Sequence, residues 1–189
     1  MRKQSIREVV RLESMTNKFL RNDIPSPCYV CDEAKLEQNL QLMQYVQDKA
    51  GVDIILALKG FSMWSTFPLV KQYLKGATAS AVWEAKLANY EMGGEVHCYS
   101  PAYKQKDIDQ LLDLVHHLSF NSINQWNQFK EQVSNSTVSA GLRVNPENQE
   151  ADTPLYDPCA PSSRLGILAA QLEGKDLTGI DSFHVHNLC

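Results

Sequence analysis

The chain has 189 residues, 43% of them hydrophobic and 21% charged, with a formal net charge of -4. Such proportions describe an ordinary globular chain able to bury one sizeable core, so a single domain is the first expectation. A mildly acidic chain with no run of about 20 apolar residues argues against nucleic-acid and membrane partners, and the lack of an apolar secretory core near Met1 argues for a cytoplasmic location.

In chain order, residues 1–23 carry Val9, Val10, Met15 and Phe19 among Arg and Lys and predict a surface helix or tail, set apart from a domain over 24–189. Next comes Pro27-Cys28-Tyr29-Val30-Cys31, a β-like run whose C-x-x-C has no second pair. Two small hydrophobes in a strand are expected there, and the five scattered cysteines (Cys28, Cys31, Cys98, Cys159, Cys189) fit free thiols. A helix capped by Asp32 should bury Leu36, Leu40, Met43 and Val46. Asp53-Ile54-Ile55-Leu56-Ala57-Leu58 reads as a strand buried on both faces. Further strands are predicted at Gly76–Ala79, Val96–Tyr99, Leu118–Phe120, Ala140–Val144 and Ser182–Val185. Amphipathic segments at Ala81–Met92, Asp107–Val115 and Ile123–Val133 separate them, the first ended by Gly93-Gly94 and the last opened by the capping pattern Ser122-Ile123-Asn124-Gln125.

Lys59, Ala79, Tyr99, Asn121 and Arg143, taken as strand ends, follow one another by 20, 20, 22 and 22 residues. That is the length of a βα unit with short loops, and the alternation implies a parallel sheet. An open doubly wound sheet has the same rhythm. A (β/α)8 TIM-type barrel is favoured because Lys59, Ser80, Ser100, Asn121, Arg143 and His184 all fall at or just after strand C-termini, the rim where barrel enzymes keep their chemistry. The step from Arg143 to His184 is 41 residues and contains Pro146, Pro154, Pro158 and Pro161, which predicts a long rim loop with a short helix. Only about six of eight barrel strands are counted before Cys189, so the chain is expected to be a fragment of a larger fold.

Lys59 ends an apolar strand, where partial desolvation would favour the neutral amine that condenses with an aldehyde cofactor. A lysine merely snorkelling at a strand end is the commoner case. His184 and His186 share one face of a strand as an H-x-H. One of them could stack on a flat cofactor, or the pair could open a metal site if further ligands converge. His97, lying within a strand, and His116 and His117, expected to end a helix at the opposite rim, are poor third ligands. Arg143 would suit a phosphate, phenolate or carboxylate, or an ion pair with Glu147; Arg164 would suit a substrate carboxylate or be a solvated loop charge.

Several segments together resemble the fold-type III, alanine-racemase-like decarboxylases, the group of the ornithine, diaminopimelate and carboxynorspermidine decarboxylases, and the last of these most closely. They are Pro27-Cys28-Tyr29-Val30, Leu56-Ala57-Leu58-Lys59-Gly60-Phe61-Ser62, Gly93-Gly94-Glu95-Val96-His97, Phe120-Asn121-Ser122, Gly141-Leu142-Arg143-Val144-Asn145-Pro146, Ser163-Arg164-Leu165-Gly166 and Phe183-His184-Val185-His186-Asn187. The resemblance runs from about Ile24 to Cys189. It implies that Lys59 carries pyridoxal 5'-phosphate, that His184 stacks on its ring, that Arg143 lies on the cofactor side and that Arg164 meets substrate. It also implies decarboxylation of carboxynorspermidine or carboxyspermidine to a triamine, by a homodimer.

Two departures qualify it. Ala77-Thr78-Ala79-Ser80 lacks the acidic residue that several relatives carry after the second strand. The family's glycine-rich phosphate loop, acidic partner of the pyridine nitrogen and β-domain would fall beyond Cys189, so the chain alone is expected to be inactive. Two other readings stay open: a non-catalytic single-barrel pyridoxal-phosphate carrier, against which the 41-residue excursion argues, and a metal-dependent barrel hydrolase using His184 and His186.

Overall fold

The computed structural model describes residues 27–187; the segment 1–23, Ile24 and Cys189 lie outside them. Six strands form one wholly parallel sheet: β1 (Leu56–Ala57), β2 (Gly76–Ala79), β3 (Glu95–Tyr99), β4 (His117–Phe120), β5 (Ser139–Val144) and β6 (Ser182–Val185). Their order in the sheet is their order in the chain. This order separates a barrel from a doubly wound sheet. With right-handed crossovers and no reversal of direction, every helix lies on the same face. The fold is an α/β partial barrel, six strands of the TIM-like type.

The helices are α1 (Glu33–Ala50), α2 (Phe67–Val70), α3 (Val82–Leu87), α4 (Gln105–Leu111), α5 (Ile123–Ser134) and α6 (Ala169–Leu172). Asp32 caps α1 as predicted, its carboxylate accepting from the amides of Ala34 and Lys35. Ser122 caps α5 by accepting from Gln125 N. A single π turn, Ala88–Met92, prolongs α3 and ends at Gly93, whose amide donates to Ala88 O. Phe67-Pro68 starts α2, a helix the sequence reading did not foresee because four residues are too few to show a period.

Alternation along the strands sorts two chemistries onto two faces. Val96, Cys98, Leu118, Phe120, Ala140 and Leu142 point at the helices and are buried. They meet Ala85, Ile108, Leu111, Trp126, Phe129 and Val133 in one continuous core. The other face carries Thr78, His97, Tyr99, His117, Ser119, Gly141, Arg143, Ser182 and His184, aligned strand to strand by the registers Thr78↔His97↔His117 and Arg143↔His184.

Four expectations need correction. The run Asp53–Leu58 is not a strand buried on both faces; only Leu56–Ala57 pair, with β2 alone, and both are partly exposed. Tyr29 is 96% exposed and the Cys28–Cys31 run pairs with nothing, so those residues are an extended lead into α1. On α1, Met43 and Val46 are exposed and Gln47 is buried in their place. Its amide donates to Tyr73 O and accepts from Ile54 N, pinning the helix to the approach of β1. His117 does not end a helix: it opens β4. Among the described residues, no helix is long and apolar enough to cross a membrane.

Candidate active site

The strand C-termini converge on a cationic rim. Arg143, near the end of β5, is only 5% exposed. Among the described residues it has no ion pair with a carboxylate, and the expected partner Glu147 is exposed in a left-handed turn (φ 58°). Its guanidinium carbon instead lies 4.7 Å from the centre of the Tyr99 ring. A desolvated cation without a counter-charge is costly, so an anion is the natural complement of this position. His184, beside Arg143 in register, meets the same Tyr99 ring edge-on at 4.8 Å.

Lys59 follows β1 in a tight turn in which Ala57 O accepts from both Gly60 N and Phe61 N. Its side chain is exposed, which corrects the expectation of a desolvated amine. β1 and β6 each have one strand neighbour among the described residues. The ammonium is near enough to the sixth strand for its charge to help lower the pKa of both His184 and His186. For His184, burial is the main cause, followed by Arg143, His186, His117 and Lys59, and together they push the imidazole down to about 4. His184 is therefore neutral at physiological pH, a flat aromatic surface among cations.

The loop after β5 returns to the rim. Asn145 N donates to Ile167 O and Ile167 N to Arg143 O, zipping the far end of the loop onto β5. Gly166 (φ 83°) makes this approach possible, because a Cβ there would stand 2.9 Å from the backbone of Val144 and Asn145. The prolines thus enclose a tied rim loop, with a 3₁₀ turn at Pro154–Tyr156 and the short α6, as predicted. Arg164 sits exposed on it. Lys59, Arg143, His184 and His186 are drawn into one electrostatic neighbourhood, and Arg164 joins its edge, close enough to oppose the rise of the Tyr99 pKa that burial causes.

Among the described residues, no three His, Cys, Asp or Glu side chains converge as metal ligands. His97 and His117 are occupied at the opposite end of the inner face. Their rings stack at 5.1 Å, His97 faces Glu95 at 3.2 Å, and His117 Nε2 bonds Ser182 Oγ at 2.5 Å. Gly141 leaves the room: a Cβ there would lie 2.6 Å from Ser182 Oγ and 2.8 Å from His117 Cε1. Gly141→Ala should destabilise the chain by about 2 kcal/mol, as overpacking does, and urea unfolding would measure it. An unchanged midpoint would mean the rings can shift freely.

The depressed histidines also set a pH dependence. An unfolded imidazole takes its proton near pH 6.5, but folded His184 takes one only at about 4. Between those values the unfolded chain binds more protons, so stability should fall as pH is lowered through the window. His117 and His186, both lowered chiefly by burial, act with the same sign. Urea midpoints measured across the window should drop, and His184→Asn should flatten part of the slope. A wild-type midpoint that holds steady or rises on acidification would contradict this reading.

The aligned polar face, the buried arginine with no carboxylate partner among the described residues and the neutral histidine mark the inner face of a partial α/β barrel of six strands. The chain is 45% identical over 168 residues to the carboxyaminopropylagmatine decarboxylase of Synechocystis sp.. It is 43% identical over 166 residues to the carboxynorspermidine/carboxyspermidine decarboxylase of Campylobacter jejuni. These matches take in 89% and 88% of the chain but 43% of each relative, so the chain spans less than half their length. The crystal structure of the C. jejuni carboxynorspermidine decarboxylase, complexed with norspermidine, superposes with a TM-score of 0.78 at 39% identity, over 88% of this chain and 42% of that one. No family model matches the chain.

Sequence reasoning singled out Lys59, Arg143, Arg164 and His184 but took Tyr99 only as a strand end. The signal was available: Tyr99, Arg143 and His184 occupy equivalent strand-end positions, and an aromatic ring there can serve both neighbours.

Proposed function

We propose that residues 24–189 form the cofactor-binding barrel of a pyridoxal-5'-phosphate-dependent carboxy-lyase of polyamine biosynthesis, acting on a carboxylated polyamine as a cytoplasmic homodimer. The observation that carries this reading is Arg143: a buried guanidinium without a carboxylate partner among the described residues, beside a neutral histidine on which the charge of Lys59 also acts. The residues present fit the cofactor. Arg143 offers a fixed positive charge to a phenolate or phosphate, His184 offers an uncharged ring, and Lys59 offers a primary amine within electrostatic reach of that ring. When bound, pyridoxal phosphate supplies the electron sink that makes loss of carbon dioxide from an α-carbon feasible.

Lys59 then holds the cofactor, and its exposure lets the amine exchange protons with water. His184 stays unprotonated at neutral pH and so adds no charge against the ring. Arg164, on the tied loop, is placed to meet a substrate carboxylate. Carboxynorspermidine and carboxyspermidine are the favoured substrates; the agmatine-type substrate in the name of the Synechocystis relative is the one to compare.

Purified protein supplied with pyridoxal phosphate, reduced with borohydride and mapped by mass spectrometry should carry the phosphopyridoxyl group on Lys59. The same preparation should be assayed for amine product from each of the three carboxylated amines. Modification of another lysine would overturn the site. Cofactor bound at Lys59, with no amine released from any of the three by a preparation that includes the relatives' remaining length, would favour a non-catalytic carrier.

A further inference from the structure

Tyr99 ends β3 and touches three neighbours at the rim, His184, Arg143 and Asn121. Its ring receives the edge of His184 from β6, 4.8 Å between centroids at 84°, and the guanidinium of Arg143 from β5 at 4.7 Å. Its hydroxyl donates to Asn121 Oδ1 at 2.7 Å. Asn121 in turn clamps the rim loop, accepting from Gly166 N at 2.8 Å through the same Oδ1 and donating from Nδ2 to Arg164 O at 2.9 Å. One half-buried phenol therefore joins the two groups assigned to the cofactor side with the loop assigned to the substrate side.

We propose that Tyr99 is a positioning residue: its ring fixes the His184 imidazole and the Arg143 guanidinium relative to each other, and its hydroxyl couples them through Asn121 to the loop that carries Arg164. The two halves of the side chain have separable duties. The ring acts by cation–π and edge-to-face contact, which need no hydroxyl. The hydroxyl donates one hydrogen bond to an amide that already serves two backbone groups, which sets the loop's place, and it also interacts with the Arg143 side chain. Elsewhere on the rim, Ser80 and Ser100 bond only local groups and link nothing across strands in this way.

The inference rests on the proposed cofactor site, and the test has one arm that does not. In cofactor-free protein, the His184 imidazole is titrated by NMR in wild type, Tyr99→Leu and Tyr99→Phe. Arg143, His186, His117 and Lys59 are the charged and titratable groups that face it. Without the ring, Arg143 is released and water enters, so Tyr99→Leu should move the His184 titration upward from about 4 toward the ordinary value. Tyr99→Phe keeps the ring and should leave it in place. In cofactor-loaded protein, Tyr99→Leu should weaken retention of pyridoxal phosphate by about tenfold, the size of one cation–π contact, with borohydride labelling still on Lys59. Tyr99→Phe should leave retention unchanged and raise KM for the carboxylated amine by about fivefold, the size of one hydrogen bond, at constant kcat.

A His184 titration unmoved by Tyr99→Leu overturns the role of the ring. A Tyr99→Phe variant with unchanged KM overturns the coupling to the loop, and that variant carries the test should the leucine variant fail to fold. Failure of the cofactor reading itself would show as missing Lys59 label in wild type, an outcome the NMR arm does not depend on.

Discussion

Lys59→Ala should eliminate covalent incorporation of pyridoxal phosphate and lower decarboxylation by at least about a thousandfold, the loss typical when a nucleophilic catalytic group is removed. Lys59 is the lysine whose charge acts on His184 and His186; the next lysines along the chain, Lys71 and Lys75, follow α2, and Lys75 is held by Asp53 at 2.6 Å. The exposure of Lys59 does not weaken the expectation. Condensation needs only a fraction of neutral amine, which an exposed lysine exchanging protons with water supplies. The measurement is twofold: visible absorbance of lysine-bound cofactor, and amine product from carboxynorspermidine. A variant that keeps its absorbance band, or loses less than about tenfold in rate, would remove Lys59 from the site.

Phe120→Ala should cost about 3–5 kcal/mol of stability, the range for truncating a fully buried aromatic. Phe120 is wholly buried at the end of β4 and packs against Tyr103, Trp126 and Phe129 at centroid distances of 5.8, 5.5 and 6.4 Å. It is the hub of the aromatic cluster that seats α5 on the sheet. The collar is rigid, since Tyr103 is tied by its hydroxyl to Ser100 N and to backbone oxygens of Cys98 and Ser119, so the cavity cannot collapse cheaply. With a urea slope of roughly 1–3 kcal/mol per molar, the midpoint should fall by about 1 M or more. A fall equivalent to less than about 1 kcal/mol would mean that the cluster relaxes into the space. Since Asn121 follows Phe120 directly, the variant should also loosen the clamp on Arg164 and Gly166.

The order of elements was legible in the chain because each signal was local. The caps at Asp32 and Ser122 are satisfied by amides two or three residues away, and the 20- to 22-residue rhythm needs only a strand, a helix and two short turns. Lys59, Arg143 and His184 could be chosen because a polar residue closing an apolar strand is visible without knowing the neighbour.

Errors came where the neighbour decides. Asp53–Leu58 reads as a buried strand, but only two of its residues pair, because it has one sheet partner. Met43 and Val46 fit the helical period but are exposed among the described residues, while Gln47 is buried because backbone groups of Tyr73 and Ile54 bond its amide. The desolvation expected of Lys59 depends on how far the sheet closes, which no single strand encodes.

By itself, then, the sequence determined the alternation, the parallel sheet and the residue types at each strand end, since these follow from backbone geometry and residue spacing. Only the tertiary structure decided that the strands stand in chain order, which gathers the polar ends on one face, and that Arg143 is buried against Tyr99 rather than paired with Glu147. Contacts between strands some 20 to 40 residues apart are fixed by register and crossover direction, and neither quantity is written in any one segment.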